Sequence, residues 1–101
     1  MEVVSVPSHK GEFFRVLQET ERSQTAVMTI APGADAGPEE EHVGDQILYV
    51  LEGQARVRVG DREYEASPGA LVTIPARTRH HVRSTGEQPL FFLTVYTPPA
   101  Y

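Results

Sequence analysis

Cysteine is absent from the 101 residues, which excludes disulfides, thiolate metal sites and thiol nucleophiles together. Any metal must therefore be held by nitrogen and oxygen donors. Asparagine is missing too, and eight of the nine basic residues are arginine. Loss of thermolabile Asn and Cys points to a heat-adapted source or to compositional drift. No apolar run approaches the ~20 residues of a membrane helix, and the first residues lack the apolar stretch of a signal peptide. A soluble, cytoplasmic protein with no membrane partner is the expectation. Basic charge is scarce: the net charge of -5 argues against nucleic acid or an anionic membrane as partner. Gly-rich phosphate loops, serine-nucleophile elbows and the His-Glu-any-any-His spacing of zinc proteases are all lacking.

What is present reads as a globular chain, with 40% hydrophobic and 23% charged residues. A single domain over residues 1–101 is expected. The segments Val3–Val6, Phe13–Leu17, Gln24–Ile30, Ile47–Leu51, Gln54–Val59, Arg62–Ala66, Ala70–Ile74, Arg79–Ser84 and Leu90–Tyr96 have strand character. They are punctuated by Pro7, Pro32-Gly33, Glu52-Gly53, Gly60-Asp61, Pro68-Gly69, Pro75 and Gly86, and Pro98-Pro99 is expected to end the ordered chain. Alternation is clean in Gln54–Val59, and Gly60-Asp61 sits where a tight hairpin turn is needed. Nine short strands with regular turn signals predict an all-β antiparallel sandwich or barrel. Ile47–Leu51 and Leu90–Tyr96 are apolar on both faces, so one face can fill a core while the other meets a second copy. A homodimer is expected.

The stretch Glu39-Glu40-Glu41-His42-Val43-Gly44-Asp45-Gln46 crowds ligand-capable side chains ahead of the apolar Ile47–Leu51. In an extended strand Glu40 and His42 share a face, and a break near Gly44 lets Gln46 rejoin it. A carboxylate, an imidazole and a carboxamide then suit a divalent cation, each with a lone pair to donate. The plain alternative is a solvated charge run with an incidental histidine.

This stretch and the segment from Gly69 to Ser84 resemble the two motifs of the cupin superfamily. The first motif runs Gly, five residues, His-any-His, three or four residues, Glu, six residues, Gly. Counting back from Gly53 places Gln46 at the Glu position, His42 at the second His and Glu40 at the first; Gly33 lies one off the opening glycine. In the second motif Gly69, Pro75 and His80 fall in step, while Arg77 and Ser84 replace its second glycine and its asparagine. Ser23-Gln24, Met28, Asp45 and the terminal Tyr96, Pro98 and Pro99 resemble a group of small single-domain cupins.

The resemblance implies a jelly-roll β-barrel, the double-stranded β-helix, with Glu40, His42, Gln46 and His80 as metal ligands pointing inward. Against the usual three imidazoles and one carboxylate, this set has one nitrogen donor replaced by oxygen. Mn²⁺ or Fe²⁺ gains relative to copper, while Zn²⁺ and Ni²⁺ also fit. His80 is assigned inward and His81 outward. The cofactor implied is a divalent metal ion and the partner a small-molecule ligand in the barrel. Either the chain is a metal-dependent enzyme on a small polar organic molecule, of isomerase, epimerase or dioxygenase type, or it is a non-catalytic ligand-binding barrel. No catalytic group is identifiable, although Tyr96, Tyr64, Arg56 and Gln24 could reach the cavity and Glu40 could act as a base.

Overall fold

Alternating short apolar and polar positions leave each segment one face to bury, and antiparallel pairing across tight turns is how the chain buries it. The computed structural model describes residues 3–101. Eight strands form: β1 (Phe14–Glu19), β2 (Gln24–Ile30), β3 (Asp45–Glu52), β4 (Ala55–Val59), β5 (Arg62–Ala66), β6 (Leu71–Ile74), β7 (His80–Ser84) and β8 (Leu90–Thr97). A five-stranded sheet has the order β1-β2-β8-β3-β6, and a three-stranded sheet the order β5-β4-β7. All pairings are antiparallel. No ladder joins the two sheets among the described residues, so the closed barrel expected above does not form.

The expected strand at Val3–Val6 is replaced by a one-turn 3-10 helix, Val6–His9. Pro7 explains the change, since it has no N–H for a ladder and its fixed φ suits a first helical turn. His9 closes that turn. Lys10 pairs with Glu52, and the Gly11 N–H donates to Thr29 Oγ1, fastening this segment to the large sheet. β1 runs on through Gln18 and Glu19, past the expected end of the strand at Leu17, because pairing with β2 continues beyond a bulge between Val16 and Gln18.

Cross-strand register sorts the interior into rows. Gln24, Tyr96 and Gln46 align, then Ala26, Thr94 and Leu48, then Met28, Phe92 and Val50. Ala55, Val57 and Val82 from the small sheet close over them, and all these positions are buried. The interior therefore grades from polar at the Gln46 end to apolar at the Val50 end.

Two glycines permit close approaches that this arrangement needs. A Cβ on Gly53 would collide with Pro89, and its φ of 85° is one that glycine alone adopts without strain. A Cβ on Gly44 would overlap the Thr97 carbonyl and Pro98, so only glycine lets residues 97–101 fold back beside the segment ahead of β3. The Thr97–Pro98 peptide bond is cis. Among the described residues no helix is long and apolar enough to cross a membrane.

Candidate metal centre

Residues 33–40 contain too much Gly, Pro and Glu for a regular strand, yet their backbone runs along the free edge of β7. Ala36 N–H donates to Val82 O, and Ser84 N–H donates to Ala34 O. At the far end Glu40 and His80 exchange both backbone hydrogen bonds, at 3.0 and 2.9 Å. Residues paired in this way hold their side chains together on one face. Glu40 therefore stands beside His80 through an isolated bridge, and the regular strand expected to carry Glu40 and His42 is not formed. His42 sits in the bend before β3, where its carbonyl accepts a 2.7 Å bond from Arg77 N–H. Asp45 Oδ1 accepts from Ala76 N–H, a second tie between the same two segments.

One ligand-capable atom from each of Glu40, His42 and His80 lies within 4.8 Å of the other two. His42 Nε2 is 3.5 Å from Glu40 Oε2, and the His42 and His80 rings are 5.1 Å apart. His80 Nδ1 faces the Thr78 carbonyl at 3.0 Å. A carbonyl can only accept, so Nδ1 carries the proton and Nε2 is left with a free lone pair. Burial is the main force holding His42 below the usual histidine range, and the nearby His80 adds to it against the opposing pull of Glu40. Gln46, on β3, is buried beside them and donates through Nε2 to Thr94 Oγ1 at 2.9 Å. That bond turns its Oε1 away from Thr94.

Among the described residues three buried side-chain polar atoms have no hydrogen-bond partner: His42 Nε2, Gln46 Oε1 and Ser84 Oγ. Two of the three belong to residues at the expected ligand positions. Buried polar atoms are seldom left alone, and such an exception asks for an occupant. With one carboxylate, two imidazoles and one amide oxygen, the donors present fit a divalent cation of intermediate hardness.

Several neighbouring charges pair with one another outside the cluster. Glu39 pairs with Arg58 and Arg79, and Arg56 with Glu65. His81 meets Asp35 at 3.1 Å, while its neighbour His80 is buried. Of the four further candidates for the cavity, Tyr96 lines it. Tyr64 is exposed on the small sheet, and the Arg56 guanidinium is engaged by Glu65. Gln24 is buried but grips the end of the described chain: its Oε1 accepts from the N–H groups of Ala100 and Tyr101, and its Nε2 donates to the Tyr101 carbonyl.

Tyr101 is the residue that sequence reasoning missed. Order does not stop at Pro98-Pro99; the Tyr101 hydroxyl donates to Glu40 Oε2 at 2.6 Å. Its ring stands edge-on to Tyr96 and His42, with centroids at 5.2 and 5.7 Å, and lies 5.0 Å from Phe14. Burial pushes the Tyr96 phenol up to about 12, and burial with the Glu40 bond raises Tyr101 as well. Both are therefore neutral hydroxyls at physiological pH. Beside the cluster opens a cavity of about 270 Å³, with Glu40, Gln46 and His80 at one end and Phe14, Met28 and Phe92 at the other.

A family model for the cupin domain matches residues 26–96. The crystal structure of BH2720 from Bacillus halodurans is 34% identical and superposes with a TM-score of 0.90, covering 99% of this chain and 83% of that one. The structure of TT1209 from Thermus thermophilus is 29% identical with a TM-score of 0.83, covering 97% of this chain and 98% of that one. Among curated relatives, MJ1618 of Methanocaldococcus jannaschii is 29% identical over 58 residues, 57% of this chain and 46% of its own length. The chain spans less than half the length of that relative and of a second one from Bacillus subtilis.

Proposed function

The chain belongs to the cupin domain family, and on that premise we propose that it holds a divalent metal ion through Glu40, His42 and His80, with Gln46 Oε1 as fourth donor. The observation that carries this reading is the convergence of Glu40, His42 and His80, one donor atom from each within 4.8 Å of the other two, beside a buried Gln46 oxygen that has no hydrogen-bond partner. Mn²⁺ or Fe²⁺ suits the oxygen-rich donor set, with Zn²⁺ and Ni²⁺ as further candidates. The framework is the family's jelly roll, opened between its two sheets.

A cation so held would supply Lewis acidity to an oxygen of a small organic ligand, as an isomerase, epimerase or oxygenase requires. The chain's own groups bind and orient. Thr94 keeps the Gln46 oxygen aimed, and Thr78 keeps the proton of His80 on Nδ1. Tyr96 and Tyr101, both neutral, do not abstract protons near pH 7, and the Tyr101 hydroxyl already donates to Glu40. Glu40 is then the one carboxylate in the cluster, serving as ligand or base. With both tyrosines neutral and Glu40 taken as a ligand, a second reading is a pocket that binds its small molecule without turnover.

Elemental analysis of protein purified without added metal tests the central claim. About one equivalent of a transition metal per chain is expected, and a metal-free protein that takes up none of the four ions on dialysis would refute it. Dioxygen uptake and conversion of hydroxy-carbonyl compounds then divide the enzyme from the binder.

A further inference from the structure

The two ends of the cavity have opposite chemistry. Phe14, Met28, Val82 and Phe92 form a wall that offers a ligand no hydrogen bond. At the other end the donors are already engaged: Gln46 Nε2 by Thr94, His80 Nδ1 by Thr78 and the Tyr101 hydroxyl by Glu40. The atoms left without a partner there, His42 Nε2 and Gln46 Oε1, are the ones assigned to the cation, so a ligand meets that end through the metal. A polyol would bury several hydroxyls against carbon, leaving them unpaired. A single ring bearing one oxygen group matches both ends at once.

The volume agrees with that. At about 270 Å³ the cavity lies just under the ~300 Å³ of the smaller ligand pockets, room for one substituted ring. The protein also shows how such a ring is received. The Tyr101 phenol lies with its oxygen on Glu40 and its ring edge-on to His42 and Tyr96. Edge-to-face packing of this kind favours an aromatic body over a saturated one of equal area.

We infer that the site takes a small monocyclic aromatic acid or phenol, its ring against Phe14, Met28 and Phe92 and its oxygen at the Glu40–His42–His80 cluster. This rests on the metal reading above, and its test keeps the two apart. Calorimetric titrations use Mn²⁺-loaded protein with 4-hydroxybenzoate and with D-xylose, metal content being measured separately on each sample. 4-Hydroxybenzoate is expected to bind at least about tenfold more tightly than xylose, whose hydroxyls the wall cannot satisfy. Phe14→Ala, at the half-buried mouth, should weaken 4-hydroxybenzoate roughly 3–10-fold while metal content stays the same. Equal or tighter xylose binding, no dependence on Phe14, or no binding by the metal-loaded protein would each overturn the inference. Should the protein take up no metal, the metal reading fails. Phe14-dependent binding of 4-hydroxybenzoate would then still sustain the aromatic cavity, and its absence would overturn that as well.

Discussion

The rings of His42 and His80 stand 5.1 Å apart, although one comes from the bend ahead of β3 and the other from β7. Backbone hydrogen bonds, not side-chain contacts, set that meeting: Arg77 N–H to the His42 carbonyl, and the reciprocal Glu40–His80 bridge. Since the scaffold does not depend on the imidazoles, removing one should empty the site without unfolding the chain. His42→Ala or His80→Ala is expected to lower metal affinity by at least ~10-fold, the lower bound for losing even an outer partner of a metal ligand. His81→Ala, whose ring faces Asp35, should leave metal content unchanged. Elemental analysis of the three variants checks this, and equal loss from all three would reject the assignment.

Arg77 occupies the place of a motif glycine and has a φ of 60°. A left-handed residue with a Cβ costs about 1–2 kcal/mol, while a glycine there adds ~0.5–1 kcal/mol of unfolded-chain entropy. The balance is a net gain, so Arg77→Gly should raise stability by up to ~1 kcal/mol in urea unfolding. A loss of more than that would mean that the arginine side chain holds the turn in a way its backbone does not show.

The legible part of this fold was the local part. The alternation in Gln54–Val59 and the Gly60-Asp61 turn foretell the β4–β5 hairpin, because pleat and turn chemistry act over a few residues. Val3–Val6 misled because its β-branched residues favour a strand until Pro7 forbids the ladder. Residues 33–42 were opaque for a different reason: their backbone partners lie on β7 and at Arg77 ahead of it, far along the chain, and nothing local signals them. Glu40 and His42 were found by motif spacing, while the strand parity first invoked for them is absent. Tyr101 left no local signal. Only the Gly44 approach and the Gln24 clamp, both long-range, bring it onto Glu40.

Tyr101→Phe removes the hydroxyl that Glu40 now accepts. Without metal the variant should lose about 0.5–1 kcal/mol, less than the ~1.5–3 kcal/mol of a buried hydrogen bond to a charged group because both groups are partly exposed. With Glu40 Oε2 released, metal binding should tighten. Urea unfolding and metal titration read the two effects separately. Weaker metal binding in the variant would show instead that the hydroxyl orients Glu40 for the ion.

Asp35 offers a pH signature away from the site. The Gly37 N–H, then His81, hold its carboxyl below the ordinary value of 3.8, with Arg83 adding to the effect. A depressed carboxyl contributes stability above its unfolded value and loses it as pH falls through the folded value. The urea midpoint of Asp35→Asn should therefore lie below that of the parent chain near pH 6, and the gap should close below pH 3.8. A gap independent of pH would assign the effect to packing.

The outer face of the large sheet is where a second copy is expected. Leu93, Tyr49 and Leu71 form one cross-strand row on β8, β3 and β6, and Val95, Ile47 and Thr73 the next. Tyr49 and Leu71 are 39% and 67% exposed, and none of these six side chains is charged; the charge in the first row, Arg15, stands two strands away on β1. A chain of net charge -5 repels its own copies wherever acids lie, so an uncharged apolar patch is where a second copy can approach. We propose that two copies pair across these rows, Leu71 against its symmetry mate or Tyr49. Leu71→Glu sets like charges against each other in the pair. At so exposed a position it should cost the folded monomer no more than ~0.5 kcal/mol, so a lost dimer cannot be blamed on unfolding. Light scattering at micromolar concentration should show a dimer for the parent chain and a monomer for the variant. A monomeric parent chain would leave this face without the partner assigned to it.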